Sequence, residues 1–180
     1  SGAMTSGKVA VVTGAGTGIG KAVAAALVAA GWRVALAGRR LEPLEAAIAG
    51  AGAAGRAIAV PTDVSRPDSV DALFARTVAA FGRVDLLFNN AGVSIGGPFE
   101  DLTHAQWQEV VDVNLTGSFL MYQAVGRTMV GRGTGSIINI ASISGLISNK
   151  GRHVTAYASS KGGVIMLTKT LAAEWAPMGV

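Results

Sequence analysis

The sequence contains no cysteine. This excludes disulfide frameworks, thiolate zinc sites, iron–sulfur clusters and cysteine nucleophiles, and it favours a cytoplasmic location. Charge is also scarce, at 14% of residues, against roughly 25% in an average globular domain. Apolar residues make up 50% before the 25 glycines are counted, which excludes a disordered chain. Long hydrophobic runs are missing. The longest, Ala22 to Trp32, is bracketed by Lys21 and Arg33 and falls short of the ~18 residues a membrane span needs. The histidines are His104, at an expected helix start, and His153, in an expected loop. Neither has metal-ligand spacing, so no metal site is expected.

Fifteen basic residues against eleven acidic give a net charge of +4. No stretch holds more than two adjacent basic residues, so no stripe for nucleic acid is visible, and the surplus suits an anionic small ligand. A chain of 180 residues fits one domain. Ser1-Gly2-Ala3 reads as an expression scar ahead of Met4, leaving residues 4–180 as that domain.

Apolar runs alternate with helical patterns. Strands are expected at Val9–Thr13, Val34–Ala37, Ala57–Val60, Val84–Phe88 and Ser136–Ile140. They are predominantly apolar rather than regularly alternating, as in strands buried on both faces. An alanine-rich helix over Gly20–Ala30 separates the first two. A capping-box pattern at Ser65 and Asp68 precedes a helix over Val70–Phe81, and a second at Thr103 and Gln106 opens a helix running to about Val130. A last helix covers Thr155–Ala176. Repeated strand–helix–strand units build a parallel sheet with helices on both faces, an α/β doubly wound domain. The chain ends at Val180, where a returning strand is expected, so on the order of 30–60 further residues are anticipated from the size of such units.

The first strand and helix are joined by Thr13-Gly14-Ala15-Gly16-Thr17-Gly18-Ile19-Gly20. Glycines permit a tight turn and close approach of a phosphate, and the helix N-terminus offers free N–H groups. A ligand-free glycine turn is the alternative. G-x-G-x-x-G does not fit, because Ile19 or Lys21 occupies the place of the last glycine. The phosphate-binding G-x-x-x-x-G-K-[ST] fails at Ala15 and Ala22. What fits is T-G-x-x-x-G-x-G, with Gly14, Gly18 and Gly20.

That pattern is followed by Asp63-Val64 after the third strand, Asn89-Asn90-Ala91-Gly92 after the fourth, Asn114 in Asp112-Val113-Asn114, Ser142 after the fifth, and Tyr157-x-x-x-Lys161. In this order and spacing the motifs resemble the short-chain dehydrogenase/reductase family over nearly the whole chain. The resemblance implies a Rossmann-like fold, a nicotinamide cofactor and a small alcohol or carbonyl substrate. It implies Asn114, Ser142, Tyr157 and Lys161 as the catalytic set. Cofactor contacts would come from Gly14, Thr17, Gly18, Ile19, Asp63, Val64, Asn90, Tyr157 and Lys161. It also implies a homo-oligomer, often a tetramer. The family's substrate lid has no counterpart here, and Asn149–His153 reads as a loop insertion.

The chemistry of these residues agrees with that resemblance. Tyr157 and Lys161, at i and i+4, share a helix face. A nearby ammonium favours a phenolate, so the pair suits proton exchange with an alkoxide. Alone, the pattern equally describes a packed tyrosine beside an exposed lysine. Ser142, at a strand's C-terminal end, is placed to hold a substrate oxygen, with Ser144 as its neighbour. By resemblance Asn114 distorts its helix and holds a relay water; the alternative is a kink residue. The second strand ends in Gly38-Arg39-Arg40 without a carboxylate, and Arg39 can contact a 2′-phosphate. NADP is therefore expected over NAD. The reading is an NADP(H)-dependent oxidoreductase interconverting a secondary alcohol and a ketone. The alternatives are an S-adenosylmethionine-dependent methyltransferase and a non-catalytic NADP-binding sensor or scaffold. Val110, Phe119, Met166 and Trp175 form an apolar surplus on two helices, suited to a helix–helix interface between subunits.

Overall fold

Val9–Thr13 carries no charge and is dominated by β-branched residues. In the computed structural model of the protein, which describes residues 7–180, it forms strand β1 with every residue buried. The sheet is parallel and five-stranded, with order β3-β2-β1-β4-β5. Strand β2 is Arg33–Gly38, β3 is Ala57–Pro61, β4 is Leu86–Asn89 and β5 is Ser136–Asn139. The helices are α1 (Gly18–Ala29), α2 (Leu41–Gly50), α3 (Pro67–Phe81), α4 (His104–Val111), α5 (Gly117–Arg132) and α6 (Thr155–Trp175).

Side chains alternate across a strand, so β1 feeds two cores. Ala10 and Val12 pack with Val28 of α1 and Leu44 of α2, while Val11 packs with Leu73 of α3 and Val125 of α5. Both faces of β1 are covered, in keeping with its lack of polar alternation; β5 departs from that expectation, because at the sheet edge its Ser136 and Ile138 are exposed. This is the doubly wound, Rossmann-like α/β fold expected from the sequence. The chain winds outward from β1 to β2 and β3, then α3 carries it back to β4 on the other side of β1. That reversal opens a crevice at the C-terminal ends of β1 and β4. Residues 1–3, read as an expression scar, lie outside the described residues.

Local signals fared unevenly. The Thr103 box forms as expected: Gln106 N–H donates to Thr103 Oγ1 at 3.2 Å, and Thr103 N–H donates to Gln106 Oε1 at 2.9 Å. The Ser65–Asp68 box does not form. Pro67 occupies the first turn of α3, where its missing N–H costs nothing, and Arg66 takes the cap position without a side-chain bond. Ser65 is one residue too early, and its hydroxyl donates to Asp63 Oδ1 at 2.6 Å. The long helix expected from Ala105 to about Val130 is interrupted by a π-helical turn over Asp112–Thr116. Two members of the expected intersubunit surplus are also corrected. Val110 is fully buried within the chain, and Trp175 packs against the core beside Gly126. Phe119 and Met166 are exposed, at 49% and 61%.

Candidate active site

The crevice is held together by Thr13, the last residue of β1. Its Oγ1 accepts the N–H groups of Asn90 and Ala91, each at 2.9 Å, and donates to Asn89 Oδ1 at 3.4 Å. Asn90 Nδ2 returns to the carbonyls of Thr13 and Gly14, at 3.3 and 3.4 Å. The loop after β4 is thereby fastened to the glycine loop after β1. Gly14 has φ +62°, and a Cβ on Gly20 would overlap the Gly14 carbonyl. Glycine is required at both positions for α1 to start this close to the strand end. Thr17 caps α1 without a side-chain bond, and no acidic residue lies in the first turn. Its N–H groups and the positive end of its dipole are left for an anion. These features fit the pyrophosphate of a dinucleotide.

From this point the crevice runs in two directions. Toward β2 and β3 is a hollow of about 190 Å³. Gly14, Thr17, Arg39, Asp63 and Val64, five of the residues expected to bind cofactor, line it. So do Gly38, Leu44 and Ala91, which the sequence reading did not assign to the site. Asp63 is the carboxylate on this lining. Its Oδ1 accepts the Ser65 N–H at 3.0 Å as well as the Ser65 hydroxyl. Arg39 is exposed, and its side chain has no hydrogen-bond or ion-pair partner among the described residues.

Toward β5 lies a second hollow, of about 490 Å³, lined by Ile19, Asn90, Ser142, Tyr157 and Lys161. Gly92 and Val93 belong to both linings, so the two hollows adjoin there. Gly18, at the first residue of α1, faces open space on its Cβ side. Lys161 is 5% exposed, and its Nζ donates to the Ile140 carbonyl at 2.8 Å. Burial holds its pKa below the ordinary lysine value. Nζ lies 5.7 Å from the centre of the Tyr157 ring, one helical turn away on α6. Ser142 Oγ accepts the Ser144 N–H at 3.1 Å. Neither the Ser142 O–H nor the Tyr157 O–H has a protein acceptor among the described residues. The turn Ile143–Gly145 sits directly on α6, where a Cβ on Gly145 would meet the Lys161 and Gly162 backbone at 2.7–2.8 Å. That approach places Ser142 on the same hollow as Tyr157. Ser144 lines the same hollow, and its Oγ accepts Asn149 Nδ2 at 2.6 Å.

Asn114 is not on the lining but directly behind it. A Cβ on Gly92 would stand 3.4 Å from Asn114 Oδ1 and 3.6 Å from Lys161 Nζ. Asn114 Nδ2 donates to the Val93 carbonyl at 2.8 Å and to Ser160 Oγ at 3.0 Å, and Oδ1 accepts the Val93 N–H at 2.8 Å. The side-chain donors are thus used within the protein. Ser160 Oγ donates in turn to the Tyr157 carbonyl at 2.7 Å. On the other side, Asn89 Nδ2 donates to Ser118 Oγ at 2.8 Å, and Ser118 donates to the Asn114 carbonyl at 2.8 Å. Thr13, Asn89, Ser118 and Ser160 therefore support the site without having been assigned to it. A signal existed for two of them, since Ser118 is four residues from Asn114 and Ser160 three from Tyr157, spacings that share a helix face. Among the described residues, no group of three or more His, Asp or Glu side chains could hold a metal, and no helix is long and apolar enough to cross a membrane.

Comparison with known proteins agrees with this geometry. Residues 8–180 match the family described as short chain dehydrogenase. The D-threitol dehydrogenase of Mycolicibacterium smegmatis is 44% identical over 97% of this chain and 66% of its own length. The 3-oxoacyl-[acyl-carrier-protein] reductase of Synechocystis is 42% identical, covering 96% of this chain and 70% of the relative. A crystal structure of a short-chain type dehydrogenase/reductase from Mycobacterium marinum superposes with a TM-score of 0.93 at 39% identity, over 97% of this chain and 70% of that one. The chain spans about two thirds of the length of the curated relatives it matches. With its motifs gathered on one crevice and residues 8–180 matched, the chain belongs to the short-chain dehydrogenase family.

Proposed function

We propose that the protein is an NADP(H)-dependent oxidoreductase that interconverts a secondary alcohol and a ketone. One observation carries the reading: the Ser142 and Tyr157 hydroxyls, both without a protein acceptor among the described residues, share a hollow with a buried ammonium, and that hollow adjoins the glycine-loop crevice at Gly92 and Val93. The bound cofactor supplies or accepts the hydride. Thr17, Gly18 and Ile19 bring the N-terminus of α1 to its pyrophosphate, Asp63 and Val64 wall the adenosine end, and Arg39 takes a 2′-phosphate through a charge-assisted contact.

In the reductive direction the Ser142 O–H donates to the substrate carbonyl oxygen and fixes its orientation. The Tyr157 O–H gives its proton to that oxygen as negative charge develops. The Lys161 ammonium, held by the Ile140 carbonyl, offsets the negative charge left on the phenol oxygen. Asn114 fixes Val93 and, through Ser160, the backbone at Tyr157. It acts as a positioning residue, and a relay water would use its carbonyl or Lys161 rather than its side-chain amide. The oxidative direction runs these steps in reverse.

A methyltransferase gives no use for the Tyr157–Lys161 pair, and a mere NADP-binding scaffold gives none for the free Ser142 and Tyr157 hydroxyls. Exposed Phe119 and Met166, on α5 and α6, support a homo-oligomeric assembly through those helices. NADPH oxidation in the presence of a panel of ketones tests the function. Consumption of NADPH with stoichiometric formation of a secondary alcohol is expected. Tight NADPH binding without turnover of any carbonyl would instead support the scaffold reading.

A further inference from the structure

The hollow that holds Ser142, Tyr157 and Lys161 carries a second cation, Arg152, which the chemistry above does not use. Among the described residues this lining includes no carboxylate, and the Arg152 side chain has no hydrogen-bond or ion-pair partner. The loop presenting it is tied on both sides. Before it, Asn149 bonds Ser144 through its side chain at 2.6 Å, and the Asn149 carbonyl accepts the Arg152 N–H at 3.0 Å. After it, the His153 carbonyl accepts the Gly97 N–H at 3.0 Å. A Cβ on Gly96 would stand only 3.2 Å from that same carbonyl, so glycine there permits the two loops to meet. Arg152 is therefore an unpaired guanidinium on a loop anchored to both walls of the hollow. An unpaired guanidinium offers five donors in a planar fork suited to a carboxylate or phosphate.

Resting on the oxidoreductase reading, we propose that Arg152 is a specificity-determining residue that selects substrates bearing an anionic group, a carboxylate or a phosphate, next to the reacting carbonyl or alcohol. Ile19, Ile143 and Val154 add apolar surface to the same lining, suited to the carbon skeleton of such a substrate. The carbonyl end meets Ser142 and Tyr157, and the anionic end meets the guanidinium.

The test compares pyruvate, acetoacetate and levulinate with their methyl esters, each at saturating NADPH. At one or more chain lengths the wild-type protein is expected to favour the acid over its ester in kcat/KM. In Arg152→Gln that acid-to-ester ratio should fall by about 10–100-fold, the scale of a lost charge-assisted contact, and Arg152→Lys should recover part of it. Lys150→Gln removes a nearby exposed charge that is not on the lining and should leave the ratio as in wild type. An ester preference at every length, a ratio unmoved by Arg152→Gln, or an equal fall in Lys150→Gln overturns the assignment. Calorimetric binding of the same compounds to the NADPH-loaded protein separates this proposal from the reading beneath it. Acid-selective binding lost in Arg152→Gln without any turnover upholds Arg152 and sinks the reductase. Turnover without acid selectivity does the reverse, and neither binding nor turnover overturns both.

Discussion

Asn114 and Val93 exchange two hydrogen bonds, the side-chain amide of one reading the backbone of the other at 2.8 Å in each direction. The π turn at Asp112–Thr116 is where Asn114 reaches across to the loop after β4, and that loop forms the floor of the crevice. Asn114→Ala leaves the Val93 N–H and carbonyl without their partner and removes the donor to Ser160 Oγ, which keeps its bond to the Tyr157 carbonyl. A stability loss of about 2–4 kcal/mol is expected from unsatisfied, largely buried groups, measured by urea denaturation. Asn114→Asp should be at least as damaging, since a carboxylate would face the Val93 carbonyl it cannot donate to.

Arg39→Ala is expected to weaken NADPH binding by about 1.5–3 kcal/mol, the value of a hydrogen bond to a charged group. NADH binding should change little, because only the 2′-phosphate distinguishes the two. Fluorescence titration of both cofactors checks this, and equal losses for both would remove Arg39 from the phosphate site.

Lys161 makes stability depend on pH in a definite sense. Burial lowers its folded pKa below the ordinary value of 10.5, so between the two values the unfolded chain binds more protons than the folded one. Stability then rises with pH through that window, as the cost of burying the charge is relieved. Below the window the cost is paid in full. Lys161→Met keeps the length and removes the charge, and should flatten the rise. Paired urea denaturations of wild type and variant from neutral to alkaline pH give the comparison. A wild-type curve that parallels the variant throughout would show that Lys161 titrates alike in both states.

Gly20→Ala places a methyl group against the Gly14 carbonyl and the Asn90 side chain. Helix α1 must shift away from β1, at a cost of about 1–3 kcal/mol typical of overpacking. Cofactor affinity should fall with it, because the N-terminus of α1 moves from the phosphate position. Thermal unfolding and NADPH titration of the same variant measure the two effects.

Much of this was legible in the sequence. The largely apolar runs pointed to a sheet covered on both faces, which holds for β1 but not for the exposed edge strand β5, and the order of glycine loop, Asn89-Asn90-Ala91-Gly92, Ser142 and Tyr157-x-x-x-Lys161 located the crevice. What stayed hidden depends on contacts between distant segments. Ser118 and Ser160 look like ordinary helix residues until Asn89 and Asn114 are brought against them. The Ser65 cap failed because Pro67 sets the start of α3 more strongly than a capping hydroxyl does. Val110 looked like surplus apolar surface because its partners lie on other elements, and α4 packs against α6 as well as the π turn. Arg152 read as part of a loop insertion, since nothing local shows that Ser144 and Gly97 tie that loop to the crevice.

The central claim is that Tyr157 transfers the proton, and single-turnover NADPH oxidation by Tyr157→Phe tests it most directly. The substitution keeps the ring and removes only the hydroxyl, so NADPH affinity should stay near that of the wild type. The chemical step should slow by at least about 10²-fold, with up to 10⁴-fold within the range of general acid–base catalysis. Reduction of a carbonyl substrate at near wild-type rate by Tyr157→Phe would contradict the account and assign the proton to another group.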